Sequence, residues 1–298
     1  MKASLRILLV VTTLFVCAWV QAESIRSQVT PTVYKKGIVW RIESNEQKVS
    51  YLMGTMHVNH PGIWKLFKRV QGFFDQSKVV CTEVKLDFET MAAEMQATFF
   101  HDGRTLKTVI NDPVFYQLVV QAARERGLPE PLIKNMKPFT LVFMLSMPPS
   151  QGEMLDQKIY QDAILKGKQS CALETVKEHS TVLDVFSMAD QIDMLKSTVS
   201  RIDEVKDLYP VLLDAYLSSD LVEMARLVNG SLMMEDPRIE KIFLQKFLID
   251  RNKKMVERMI PRIKKGKAFF AVGAMHLTGS AGILRLLSDQ GYKLTAIY

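Results

Sequence analysis

The chain has 298 residues, and its body contains no run long and apolar enough to span a bilayer. Its longest apolar run, Ile7 to Val20, is about 14 residues, short of the roughly 20 that a spanning helix needs. Glycines never gather into a phosphate loop; those after Val272 are Gly273, Gly279 and Gly282, which lack GxGxxG spacing. No serine occupies a GxSxG elbow and no HExxH occurs, which removes the esterase elbow and the ordinary zincin. Arginines do not cluster with aromatics, and like charges do not form long runs, so a nucleic-acid surface has no footprint here. Histidine is scarce too. There are only five, so their placement carries weight.

The amino terminus has a clear layout. Lys2 and Arg6 lead into the apolar run, and Val20-Gln21-Ala22 follows it before Glu23. Charged, then apolar, then small is the order of a secretory leader. Residues 1–22 are expected to be a signal peptide cleaved near Ala22, with an uncleaved anchor as the alternative. Phe15 and Val16 before Cys17 are too bulky for a lipidation box. The mature chain is then exported, periplasmic or secreted, with no membrane span. Losing Lys2 and Arg6 removes two charges from a net +7, and the remaining basic residues are scattered, as on solvated helix faces. In such a compartment Cys81 and Cys171 form either a disulfide or two buried free thiols.

Ordinary globular composition, 48% hydrophobic and 24% charged, fits one domain over 23–298. Gly37–Glu43 and Lys48–Met53 read as a hairpin. Ile63, Leu66, Phe67, Val70 and Phe74 have helical spacing over Pro61–Gln76. Short apolar strands are expected at Lys78–Val84, Gln169–Leu173, Lys267–Val272 and Lys293–Ile297, with a helix at Gly279–Gln290. Between them lie helical insertions, about 87–150 and 180–264. The fold class is α/β (α+β), a central mixed sheet whose Cys-containing strands lack alternation, as strands buried on both faces do.

Two stretches share a pattern. Tyr51–His57 reads YLMGTMH, and Phe269–His276 reads FFAVGAMH. Each is an apolar strand that breaks at a glycine and delivers a histidine three residues later. Such junctions lie at the carboxyl edge of a sheet, where open α/β folds place their ligands. One such histidine is ordinarily a satisfied turn residue. Two in matching contexts point to a shared site, and Glu83, at the end of a third apolar strand, supplies a carboxylate that is costly there unless paired or metal-bound. Two imidazoles and one carboxylate suit a catalytic divalent ion with an open position. If the two motifs end neighbouring strands, the ring nitrogens come close enough to share an ion, roughly 3–4 Å apart for ligands at about 2.0–2.1 Å. Met56 and Met275 read as packing residues. His60 before Pro61 reads as a helix-start residue or a further ligand, and His101 and His179 as surface residues.

The segments YLMGTMHV, CTEVKLD, MLD at 154–156, CALET, LIDRN ending at Asn252 and VGAMHLTGSAGILRLLSDQGYKL resemble the TraB/GumN family, which embraces the Tiki-type proteases. The resemblance runs from about 37 to 298 and is most specific at its ends. It implies metal-dependent hydrolysis centred on His57, His276 and Glu83, with Asp156, Glu174, Arg251 and Asn252 as supporting or substrate-binding positions. Glu174 is read either as a carboxylate orienting a ligand histidine or as a helix-start charge. Arg251 is read as pairing a carboxylate near the site or as part of a solvated face. The chain departs from the family at Glu178-His179, where Glu-Gln is frequent, and at Tyr216-Leu-Ser-Ser-Asp220, which lacks a glycine. Manganese, cobalt and zinc all accept such a mixed N/O site, and the expected partner is a peptide or protein substrate. Glu83 is left open between ligand and general base. The alternatives are a protein that sequesters a peptide or haem without turnover, and a metal-free esterase-like hydrolase with a histidine base.

Overall fold

The apolar runs from the two ends of the chain meet in one sheet. The computed structural model describes residues 33–147, 152–231 and 236–298, so the expected signal peptide lies outside the described residues. β1 (Val39–Glu43) and β2 (Val49–Thr55) form the hairpin. α1 (Pro61–Gln76) has the bounds that its apolar spacing indicates, and all five of those residues are buried. β3 (Val79–Thr82) follows.

The first insertion comprises α2 (Phe88–Ala97), α3 (Leu106–Ile110), α4 (Pro113–Glu125), α5 (Glu130–Ile133), α6 (Pro138–Ser146) and α7 (Leu155–Leu165). β4 (Gln169–Ala172) returns to the sheet. The second insertion comprises α8 (Val176–Thr181), α9 (Met188–Ser200), α10 (Ile202–Leu217), α11 (Leu221–Ser231), α12 (Pro237–Phe243) and α13 (Asp250–Lys265). β5 (Ala268–Gly273), a 3-10 turn (Ala274–Leu277), α14 (Ile283–Asp289) and β6 (Lys293–Ala296) complete the chain.

The strand order is β4-β3-β5-β2-β1-β6. β4, β3, β5 and β2 run parallel, and β1 is antiparallel to both β2 and β6. This is the mixed α/β sheet expected. β5 lies centrally, and Ala268 to Val272 are wholly buried, as a parallel strand covered on both faces must be. Four parallel strands therefore end at one edge, and the chain's chemistry gathers there.

The last helix is shorter than its apolar spacing suggests. It starts at Ile283 because Gly279 adopts φ +83° and a Cβ on Gly282 would lie 2.2 Å from the Thr278 carbonyl oxygen. Cys81 and Cys171 are register partners of β3 and β4, and the structure joins them as a disulfide. Among the described residues no helix is long and apolar enough to cross a membrane.

Candidate functional site

Thr55 of β2 pairs with Gly273 of β5, and Thr82 of β3 pairs with Ala172 of β4. His57, His276, Glu83 and Glu174 each follow one of these four strand ends, so all four emerge at the same edge. The two motif glycines explain how closely. A Cβ on Gly54 would lie 2.8 Å from Leu277 Cδ1 and 3.0 Å from Ala274 Cα, so the second motif's turn packs directly on the first motif's glycine. A Cβ on Gly273 would lie 3.3 Å from Glu83 Oε1, 3.6 Å from His57 Nε2 and 3.6 Å from His276 Cδ2. The three side chains thus border one space beside Gly273, although among the described residues the group whose ligand atoms all lie within 4.8 Å of one another is Glu83, Glu174 and His179.

Each converging group is held from behind. His57 Nδ1 lies 2.8 Å from Asp156 Oδ2, and the other oxygen of Asp156 accepts from Thr55 Oγ1 at 2.5 Å. A carboxylate only accepts, so Nδ1 carries the hydrogen and Nε2 is the free lone-pair atom of the neutral ring. His276 Nδ1 lies 2.6 Å from Asn252 Oδ1. The Asn252 amide nitrogen donates to the Ala281 carbonyl at 2.9 Å, which orients the amide and makes Nδ1 of His276 the donor again. His276 Nε2 then faces Glu83 Oε1 at 3.7 Å. Glu83 Oε1 accepts from the Gly273 N–H at 2.6 Å, and Oε2 accepts from Arg251 Nη2.

Arg251, in the first turn of α13, also grips Glu174 through Nε (2.9 Å to Oε1) and Nη2 (2.6 Å to Oε2). Glu174, its side chain 1% exposed, has the guanidinium as its partner. The charges do not balance. Asp156, Glu83 and Glu174 bring three carboxylates against the Arg251 guanidinium and the His57 imidazolium.

These charges set the protonation states. Asp156 raises the His57 imidazolium to about 9 from an ordinary 6.5, although half of the ring is open to the cavity. Burial pushes His276 down to about 3, against the attraction of Glu83. Burial alone would raise Glu83, but His276, Arg251, His57 and the Gly273 N–H outweigh it and hold the carboxyl below its usual range.

His179 was read as a surface residue, and the structure corrects this. It lines the same cavity, with Nδ1 2.6 Å from Glu94 Oε1 and Nε2 4.0 Å from Glu83 Oε2. α8 starts just past the carboxyl end of β4, so its first turns face the ligand edge whatever their polarity. Topology, rather than composition, was the signal. Glu83, Glu174 and His179 place one ligand atom each within 4.8 Å of one another, a spacing that a metal can span. His60 is the N-cap of α1 and accepts from the Gly62 N–H, while His101 is exposed and bonded to the Gln96 carbonyl. Met56 and Met275 pack against the core and reach the cavity wall.

The cavity over this edge measures about 620 Å³. His57, Glu83, Arg251 and His276 form its polar floor, and the insertions supply most of the rest.

The TraB/PrgY/gumN family model matches residues 38–296. The chain belongs to that family. Metalloprotease TIKI1 of Danio rerio is 21% identical over 89% of this chain and 64% of its own length. Metalloprotease TIKI2 of the same organism is 22% identical, over 82% of this chain and 58% of its own. The Metalloprotease TIKI homolog of Nematostella vectensis is 23% identical, over 89% and 68%. This TraB/PrgY/gumN chain thus spans about six tenths of the length of the first two relatives. No solved structure matches.

Proposed function

We propose that this TraB/PrgY/gumN protein is a metal-dependent peptidase whose divalent ion is held by His57 Nε2, His276 Nε2 and Glu83 Oε1. The observation that carries this is the convergence of those three groups at Gly273, each fixed from behind by Asp156, Asn252 or Arg251. The donor set fits the group. Both imidazoles present an unprotonated Nε2 in their neutral form, and the negative charge left once His57 gives up its proton is what a divalent ion neutralises. The similarity to relatives named metalloproteases points the same way.

When bound, the ion supplies Lewis acidity that polarises a scissile carbonyl and acidifies water. The chain's own residues do the rest. Asp156 and Asn252 hold the two Nδ1–H tautomers, as partners behind ligand histidines do. Arg251 fixes Glu83 and neutralises Glu174. Glu83, with both oxygens hydrogen-bonded and its acidity raised, is a weak base, which favours the ligand role. His179, backed by Glu94, is the residue placed to accept a proton in the cavity.

The test is peptide cleavage by the purified protein before and after chelation, with manganese, cobalt or zinc restored. Cleavage that survives removal of bound metal rejects the proposal. A pH dependence adds a sharper check. In the metal-free protein His57 holds its proton up to about pH 9, whereas His276 is neutral down to about 3. One proton, that of His57, must leave for the ion to bind. Apparent metal affinity should therefore rise about tenfold per pH unit from neutrality towards 9 and level off above it. A twofold steeper slope would show two protonated ligands and contradict the assigned states.

Gly273→Ala tests the convergence itself. Gly273 has φ −51°, which alanine adopts without strain, so the fold should persist. The added methyl crowds Glu83 Oε1 at 3.3 Å and touches both rings at 3.6 Å, and a shift of Glu83 by some tenths of an ångström should lower hydrolysis by about tenfold. Unchanged metal content and turnover would mean that the three groups do not share one centre.

A further inference from the structure

We propose that the chamber above the polar floor selects peptides by an apolar side chain beside the scissile bond, with Leu208 and Leu212 of α10 setting that preference. The inference rests on the peptidase reading and adds the substrate class to it.

The chamber is one continuous space with the proposed centre, since His57, His276 and Glu83 line it together with Leu208 and Leu212. Its volume of about 620 Å³ falls among pockets that enclose a ligand of some hundreds of daltons, here a short peptide segment. The wall is apolar. Phe143 and Met147 come from the first insertion, and Leu208, Leu212, Met224 and Val228 come from α10 and α11. The wall's polar groups are hydroxyls, such as those of Ser146 and Tyr209, and the Glu94–His179 pair, whose Oε1 and Nδ1 lie 2.6 Å apart. The charged residues of α10 lie elsewhere: Asp203, Glu204, Lys206, Asp207 and Asp214 are exposed on its outer face. Arg201 pairs with Glu204, and Lys206 with Asp203 and Glu125.

Several of these apolar groups keep surface free in the chamber, although Leu212 also packs against the core. Phe143 is 37% exposed, and Leu208 and Leu212 are only half-buried, although all three face this chamber. Leu208 and Leu212 are four residues apart on α10 and therefore stand on one helix face. An apolar side chain entering here removes both its own surface and theirs from water. A charged side chain entering beside Leu208 and Leu212 loses its hydration, and the wall's Glu94 is already engaged by His179. The other charges of the cavity are on the floor, where the scissile bond must lie.

The experiment uses a series of labelled decapeptides that differ at one central residue, Leu, Phe, Lys or Asp. Cleavage is followed with the manganese-loaded protein, and binding by fluorescence anisotropy with His276→Ala, which should not turn over. The Leu and Phe peptides should be bound and cut at least about tenfold better than the Lys and Asp peptides. Leu208→Gln and Leu212→Gln, helix-compatible changes at half-buried positions, should shrink that ratio several-fold. Leu212→Met should retain it. Preference in binding without any cleavage overturns the peptidase reading and leaves this inference standing. Cleavage of all four peptides at similar rates overturns this inference and leaves the peptidase reading standing. Absence of both binding and cleavage overturns both.

Discussion

His276→Ala should give a folded protein that holds no stoichiometric divalent ion and has lost peptide hydrolysis by more than about a thousandfold. Lewis-acid stabilisation of a developing oxyanion is worth several kcal/mol, and each 1.36 kcal/mol is a factor of ten in rate. Removing the ring leaves the Asn252 carbonyl oxygen without its 2.6 Å partner. That costs about 1–3 kcal/mol if the oxygen stays dry. The space created adjoins the cavity that His276 lines, so water can replace the lost partner and the fold should survive. His57→Ala should produce the same loss from the opposite side with a smaller effect on stability, because half of that ring is already exposed. His60→Asn is the control. His60 only caps α1, and asparagine is a good cap, so metal content and rate should not change. Elemental analysis and peptide turnover decide the matter. Full metal content and rate in His276→Ala would dismiss that ring as a ligand.

Arg251→Met should be among the most destabilising single changes in the sheet-edge region. The guanidinium is the shared partner of Glu83 and Glu174, both buried. Methionine keeps much of the volume but leaves two carboxylates facing each other without a counter-charge. Breaking a buried pair in this way costs about 3–5 kcal/mol. Adding Glu174→Gln removes one of the stranded charges, so the double variant should recover a substantial part of the loss. Urea unfolding of the metal-free proteins measures both, since bound metal would add its own linkage. A loss below about 1 kcal/mol, or no recovery in the double variant, would mean that solvent screens this cluster and that Arg251 does not hold Glu83 in place.

Much of the sheet was legible because its strands carry their own signals. The run AFFAV has to be buried on both faces, and it lies in the middle of the sheet as β5. The two GxMH stretches and Glu83 announced strand ends that meet at one edge. What local pattern could not carry was the identity of the partners behind the histidines. Asp156 lies 99 residues from His57, and Asn252 lies 24 residues from His276 across a strand and a turn. Family resemblance flagged both positions without saying what they touch. Arg251 and Asn252 occupy a helix of mixed charge, where neighbouring residues hide which side faces inward.

His179 was missed for a related reason. α8 is short and contains no buried residue, so apolar periodicity assigns it no inner face. The start of α14 was misplaced because Gly279 and Gly282 sit inside an otherwise apolar helical pattern. The thiol question stayed open in the sequence because parallel pairing of Cys81 with Cys171 depends on two strands 90 residues apart.

That cross-link also changes the topology of the covalent chain. Everything between Cys81 and Cys171, including α2 to α7 and the His57-holding Asp156, hangs on a closed covalent ring. A protease that nicks an exposed loop of that ring cannot release a fragment: the two pieces stay shackled beside Glu83 and Glu174 until a thiol is added. Nicked protein should migrate as one species on a non-reducing gel and as two on a reducing gel, so trimming in an oxidising compartment leaves the first insertion tethered to the sheet edge.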